Sequence, residues 1–93
     1  MPTQITQIDD AERSVTTFRI EGDMLIDDAN LLSRIALAHM HESGNSIVID
    51  LADLDFLDSE SAPILKLLER EYEFEITGTE IFRQTIVDAA EKR

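Results

Sequence analysis

The chain has 93 residues, of which 20 are Asp or Glu and 8 are Lys or Arg, giving a formal net charge of −12. That balance argues against a nucleic-acid binder, which needs clustered cations for phosphate contacts, and against adsorption to anionic lipid. Hydrophobic residues make up 43% of the chain, enough for one small core, and the absence of cysteine removes disulfides, thiolate nucleophiles and Cys-ligated metals.

Residues 4–8 (Gln-Ile-Thr-Gln-Ile) and 14–20 (Ser-Val-Thr-Thr-Phe-Arg-Ile) are rich in β-branched and aromatic residues. The polar stretch 9–13 between them predicts an antiparallel hairpin. Glu21-Gly22-Asp23 breaks the second strand, and Asp27 or Asp28 can accept the free amides of a helix start. That helix runs to about Ser43, with Leu31, Leu32, Ile35, Ala36, Ala38 and His39 at helical spacings and Gly44 as its stop. Residues 46–51 form a continuous apolar run, predicting a strand covered on both faces. An acidic, turn-like stretch follows at 52–58, then a second helix with Pro63 tolerated in its first turn and Ile64, Leu65 and Leu68 facing inward.

Tyr72-Glu73-Phe74-Glu75-Ile76 alternates strictly and predicts a fourth strand with one hidden face, a candidate for an edge open to pairing. Gly78 ends it, Thr79 can cap a third helix, and Phe82, Ile86 and Ala89 or Ala90 supply that helix's inner stripe. The expected fold is therefore a single α/β domain over residues 1–93, in the order β-β-α-β-α-β-α. Its four-stranded, mostly parallel sheet is built by right-handed crossovers, with the first strand antiparallel at one side. The loops at the carboxyl ends of the strands, residues 22–28, 52–61 and 78–79, gather at one edge, where function is expected. The N-terminus has neither a basic start nor an apolar run, and no stretch approaches the ~18–20 apolar residues of a membrane span. A soluble, cytoplasmic protein is the expectation.

The densest chemical feature is Asp50, Asp53, Asp55, Asp58 and Glu60, with no basic residue between Glu42 and Lys66. Hard divalent cations want several carboxylates, but Leu57 and Asp58 fall where a calcium loop needs a ligand and its turn glycine. The cluster therefore reads as a solvated acidic loop, and no metal or cofactor is implied. Asp50 at a strand end invites comparison with receiver-domain phosphoacceptors. No lysine follows the fourth strand, however, so Asp50 is expected to bond nearby amides instead. His39 and His41 lie two apart on a helix, point to different faces and cannot share a metal. No Gly-X-Ser-X-Gly elbow or His–Ser pairing points to catalysis.

At Asp58-Ser59-Glu60-Ser61-Ala62-Pro63, Ser61 is the expected cap of the second helix, which leaves Ser59 just outside it, exposed and open to modification. Phosphate there would add about −1.5 to −2 charge beside Asp58 and Glu60. The run from Ile47 to Ser59 resembles the signature of STAS domains, the fold of bacterial anti-sigma factor antagonists. Its hydrophobic strand ends in Asp50-Leu51, and Phe56-Leu57-Asp58-Ser59 leads into a helix. Phe18-Arg19-Ile20-Glu21-Gly22-Asp23 and Phe74-Glu75-Ile76-Thr77-Gly78 are similar to the upstream and downstream family patterns, and the resemblance spans about residues 14 to 90. It implies a non-enzymatic switch in signal transduction and transcription regulation. In that family the serine after the aspartate, to which Ser59 corresponds, is phosphorylated by a partner kinase that is itself an anti-sigma factor, and the unphosphorylated form binds that partner.

Asp23, Asp27, Asp55, Phe56, Asp58, Ser59, Glu60 and Ser61 are the expected partner-binding residues. The sequence departs from the family pattern at Glu60, where a second Ser or Thr is usual, at Ser61, where Gly is usual, and at Ala62-Pro63 in place of Leu. The expected third helix is the last element, which reads as a truncated version of the family fold. These departures motivate an alternative, a STAS-type accessory subunit of a larger assembly, such as a membrane transporter complex, that is never phosphorylated.

Overall fold

The computed structural model of the protein describes residues 3–82. The expected inner stripe at Ile86, Ala89 and Ala90 lies outside the described residues. β1 (Gln4–Asp10) and β2 (Val15–Met24) form the predicted hairpin, pairing antiparallel from Gln4↔Glu21 to Asp10↔Val15. The Asp10 carboxylate accepts the Arg13 amide at 3.2 Å and closes the turn. Along β2 the side chains alternate: Thr16, Phe18, Ile20 and Met24 are buried, while Arg19 between them is exposed.

Helix α1 (Ile26–Ser43) begins slightly before the expected Asp27 or Asp28, and Asp28 acts from within its first turn, accepting the Leu25 amide at 3.0 Å. Gly44 ends it in the left-handed conformation at φ 73°, returning its amide to the Met40 carbonyl at 2.8 Å. β3 (Ser46–Asp50) then pairs parallel with β2, from Val15↔Ser46 to Arg19↔Asp50.

The acidic stretch read as a turn contains a strand, β4 (Leu54–Leu57). It pairs parallel with the far end of β2, Gly22↔Leu54, Asp23↔Phe56 and Met24↔Leu57, with a register shift between Gly22 and Asp23. That shift explains the missing sequence signal. Leu54 and Leu57 both point inward while Asp55 and Phe56 are exposed, so no period of two is visible. Among the described residues the strands and long helices therefore follow the order β-β-α-β-β-α-β, with five strands in the sheet where four were expected.

Helix α2 (Ser61–Tyr72) carries Pro63 in its first turn, as expected. It runs through Tyr72 and closes at Glu73, which is left-handed at φ 60°, so β5 is only Glu75–Thr77. The alternation at 72–76 thus mixes a helix end with a short strand. β5 pairs parallel with β3 (Ile49↔Ile76), giving the order β1-β2-β3-β5 with β4 beside the end of β2. The Phe82 amide bonds the Thr79 carbonyl at 3.0 Å as a further helix opens at residues 80–82.

The buried side chains Phe18, Ile20, Ile47, Ile49 and Ile76 all lie on one face of the sheet by this register, and α1 and α2 pack together over them through Leu32, Ala36, Leu65 and Leu68. Val48 on the opposite face is only half-buried, so among the described residues β3 is covered on one face and not two, because both crossovers place their helices on the same side. No described helix is long and apolar enough to cross a membrane.

Candidate functional site

The carboxyl-end edge is assembled by backbone and carboxylate contacts. Asp50 Oδ1 accepts the Ala52 amide at 3.0 Å and the Thr77 hydroxyl at 3.2 Å, the local bonding expected of it and not the posture of a free phosphoacceptor. Gly78 lies against the same turn. At φ 69°, a Cβ added to it would stand 2.3 Å from the Ala52 nitrogen. Arg19, on the uncovered face of β2, donates from Nε to Asp53 at 2.7 Å and from a second guanidinium nitrogen to the same oxygen. These bonds raise the guanidinium pKa above its ordinary value.

Asp58 organises the mouth of α2. Its amide bonds the Met24 carbonyl at 3.1 Å, extending the β2–β4 ladder by one step. Its Oδ1 accepts the Ser61 amide at 2.8 Å, and its Oδ2 accepts the Ile26 amide at 3.1 Å. One half-buried carboxylate therefore satisfies orphan amides at the first residues of both helices, and its charge lies where two helix dipoles are positive. The expected capping role belongs to Asp58 and not to Ser61. Ser61 is fully buried and its hydroxyl has no hydrogen-bond partner among the described residues, so this side chain is not on the surface where partner contact was expected.

Ser59 and Glu60 are exposed beside this clamp, as are Asp27, Asp55 and Phe56, while Asp23 is half-buried on β2 opposite Phe56. Sequence reasoning missed Leu25. It continues the outward-facing positions of β2 just beyond its end, is 50% exposed, and lies diagonal to Phe56, which is 45% exposed. The edge thus presents two apolar side chains and a serine hydroxyl among carboxylates. No Lys or Arg occurs between Arg19 and Arg34 or between Glu42 and Lys66.

Among the described residues no group of three or more His, Asp or Glu comes together in a way that could hold a metal ion. His39 and His41 do not meet. His39 Nε2 lies 2.8 Å from the buried Thr16 hydroxyl and 3.4 Å from Asp9 Oδ1, whereas His41 is exposed. Thr16 donates to Asp9 at 2.9 Å and accepts from Asn45 Nδ2 at 3.1 Å, so the remaining contact requires His39 Nε2 to carry a proton. The Thr16 hydroxyl, then Gln7, hold the Asp9 carboxyl below its ordinary pKa.

No protein-family model matches the sequence, and no curated protein matches it. Solved structures do. An anti-sigma factor antagonist STAS domain from Rhodobacter sphaeroides superposes with a TM-score of 0.67 at 18% identity, over 89% of this chain and 94% of that one. The fold is that of STAS domains. The anti-sigma factor antagonist SpoIIAA in its unphosphorylated form gives a TM-score of 0.58 at 16% identity, over 77% of this chain and 64% of that one. An uncharacterized protein of SpoIIAA-like fold from Shewanella loihica gives 0.52 at 22% identity, over 95% and 75%. In this STAS-like chain, residues 54–57 supply a strand of the fold, and Asp58 and Ser59 stand directly between that strand and α2.

Proposed function

We propose that the chain is a non-enzymatic regulatory module that binds a protein partner through the edge around Ser59, with the Ser59 hydroxyl as its site of phosphorylation. The observation that carries this reading is the division of labour at Asp58-Ser59. Asp58 spends both carboxylate oxygens on the starts of α1 and α2, while Ser59 beside it is exposed. The fold shared with two anti-sigma factor antagonists supports the same reading. A partner suited to this edge offers an apolar recess for Leu25 and Phe56 and a basic rim for Asp23, Asp27, Asp55 and Glu60.

In the switch, Ser59 Oγ attacks the terminal phosphoryl group of a nucleoside triphosphate held by a partner kinase. The hydroxyl proton is lost and the nucleoside diphosphate leaves. The added negative charge is repelled by Asp58 and Glu60 on its own side and costs desolvation within the docked edge, so the unphosphorylated form is the one that docks. Incubation with the cognate kinase followed by intact mass measurement tests the site. One phosphate is gained by the wild type and none by Ser59→Ala; a gain that survives Ser59→Ala removes Ser59 from the role.

A second reading is favoured by Glu60, whose exposed carboxylate already supplies negative charge next to Ser59. It makes the chain a constitutively docked accessory subunit of a larger assembly, never phosphorylated. Co-purification from cells distinguishes the two, because a free pool without a partner counts against permanent assembly.

A further inference from the structure

β1 is an edge strand of seven residues, paired with β2 on one side and with no described strand on the other. Monomeric proteins usually guard such an edge with Lys, Pro, a bulge or a covering loop. Here β1 reads Gln-Ile-Thr-Gln-Ile-Asp-Asp, without Lys or Pro, and its register with β2 is uninterrupted. Among the described residues, Asp9 and Asp10 at one end are the only charges on this strand, and its first five residues are unguarded.

A helix stripe overhangs the same edge. Asp28, Leu31, Ile35 and His39 recur at intervals of three and four along α1 and so share one flank. Both ends of this stripe are tied to β1 or to the residue before it. Asp28 Oδ2 accepts the Thr3 hydroxyl at 2.9 Å, and His39 reaches Asp9 at 3.4 Å. Leu31 and Ile35, between the two ties, are 43% and 37% exposed. Unpaired backbone groups and an apolar helix flank therefore face outward together.

We propose that this edge joins a second copy of the chain through antiparallel pairing of β1 with β1, forming a twofold dimer with one continuous sheet. Antiparallel pairing of identical strands is self-complementary, and its twofold axis stands perpendicular to the sheet, so both helix layers fall on the same face. Across a strand spacing of about 4.8 Å, the Leu31–Ile35 flanks of the two copies then come within reach of each other. Charge selects the register. Centring on Gln7 pairs all seven residues and sets Gln4 and Ile5 opposite the acidic Asp10 and Asp9 of the other copy, so that no two carboxylates are directly opposed. The same register carries each hairpin turn, with its exposed Arg13, alongside the Asp27–Asp28 end of the other copy. Phe56, Ser59 and Glu60 remain free, since β4 lies on the opposite side of β2 from β1, whereas Asp27 falls within the dimer contact.

Sedimentation equilibrium of the full chain tests this dimer. The wild type is expected to reach twice the chain mass as concentration rises, and Leu31→Lys with Ile35→Lys to hold it at the mass of one chain with unchanged circular dichroism. Because the protein has no cysteine, Gln7→Cys places a single thiol on the twofold axis, and mild oxidation should link two copies far faster than it links the control Leu67→Cys. A chain mass that stays monomeric at every concentration overturns the proposal. So does a dimer that survives the two lysines, or a Gln7→Cys variant that links no faster than the control.

Discussion

The Asp58 carboxylate and the Ile26 amide meet at 3.1 Å across 32 positions of sequence, while the other oxygen of the same carboxylate takes the Ser61 amide. Asp58→Ala removes a cap from two helices at once and is expected to cost about 1–3 kcal/mol of folding stability. Asp58→Asn keeps one acceptor oxygen and should fall between. Urea unfolding of the three proteins checks the order, and an alanine variant as stable as the wild type would show that the clamp is not energetically used.

Ser61 gives the opposite expectation. A capping serine changed to alanine loses about 1 kcal/mol. The Ser61 hydroxyl is buried without a partner among the described residues, so Ser61→Ala should leave stability unchanged or raise it by up to about 1 kcal/mol. The same unfolding measurement separates the two roles by sign.

Two left-handed glycines should respond differently to alanine. At Gly44, φ is 73° and no atom lies within 4 Å of an added Cβ, so Gly44→Ala carries only the left-handed penalty of about 1–2 kcal/mol. At Gly78 the same penalty comes with a Cβ 2.3 Å from backbone nitrogen, and that backbone cannot move without disturbing the Asp50 turn. Gly78→Ala is expected to lower the melting temperature by much more than Gly44→Ala.

Asp9 supplies a pH dependence. Its folded pKa lies below the unfolded value, chiefly through the Thr16 hydroxyl and then Gln7, with a smaller contribution from His39. A depressed carboxylate stabilises the fold above its unfolded pKa, and that contribution is lost as the pH falls through the folded pKa. Thr16→Val keeps the shape of the side chain and removes the hydroxyl, so the Asp9 carboxyl should titrate nearer its ordinary value, read from its side-chain NMR shifts.

Much of the architecture was legible because its signals are local. Polar residues 9–13 between two β-branched runs give the hairpin, Gly44 stops α1 where expected, and the apolar 46–51 run contains the central strand, Ser46–Asp50. β4 was not legible. Asp53 and Asp55 look like a turn, and the strand exists only because β2 overhangs β3 and offers Gly22–Met24 as a template. The end of α2 was misread for a related reason. Tyr72 alternates with Phe74 as in a strand, but a left-handed Glu73 lies between them, and a positive φ at a non-glycine residue leaves no mark in sequence.

At the candidate site, the sequence alone determined which residues cluster: acidic loops, a serine after an aspartate, a phenylalanine beside them. Those choices follow from composition and spacing along one stretch of chain. Tertiary structure decided their duties. Asp58 became a clamp because β4 carries it to the start of a helix 32 positions upstream, Ser61 was buried at the start of α2, and Leu25 came to lie diagonal to Phe56 only through β2–β4 pairing. The exposed flank of α1 beside β1 has the same origin. Periodicity marks Leu31 and Ile35 as apolar, but only the packing of the helix over the sheet shows that they overhang an edge and not the core.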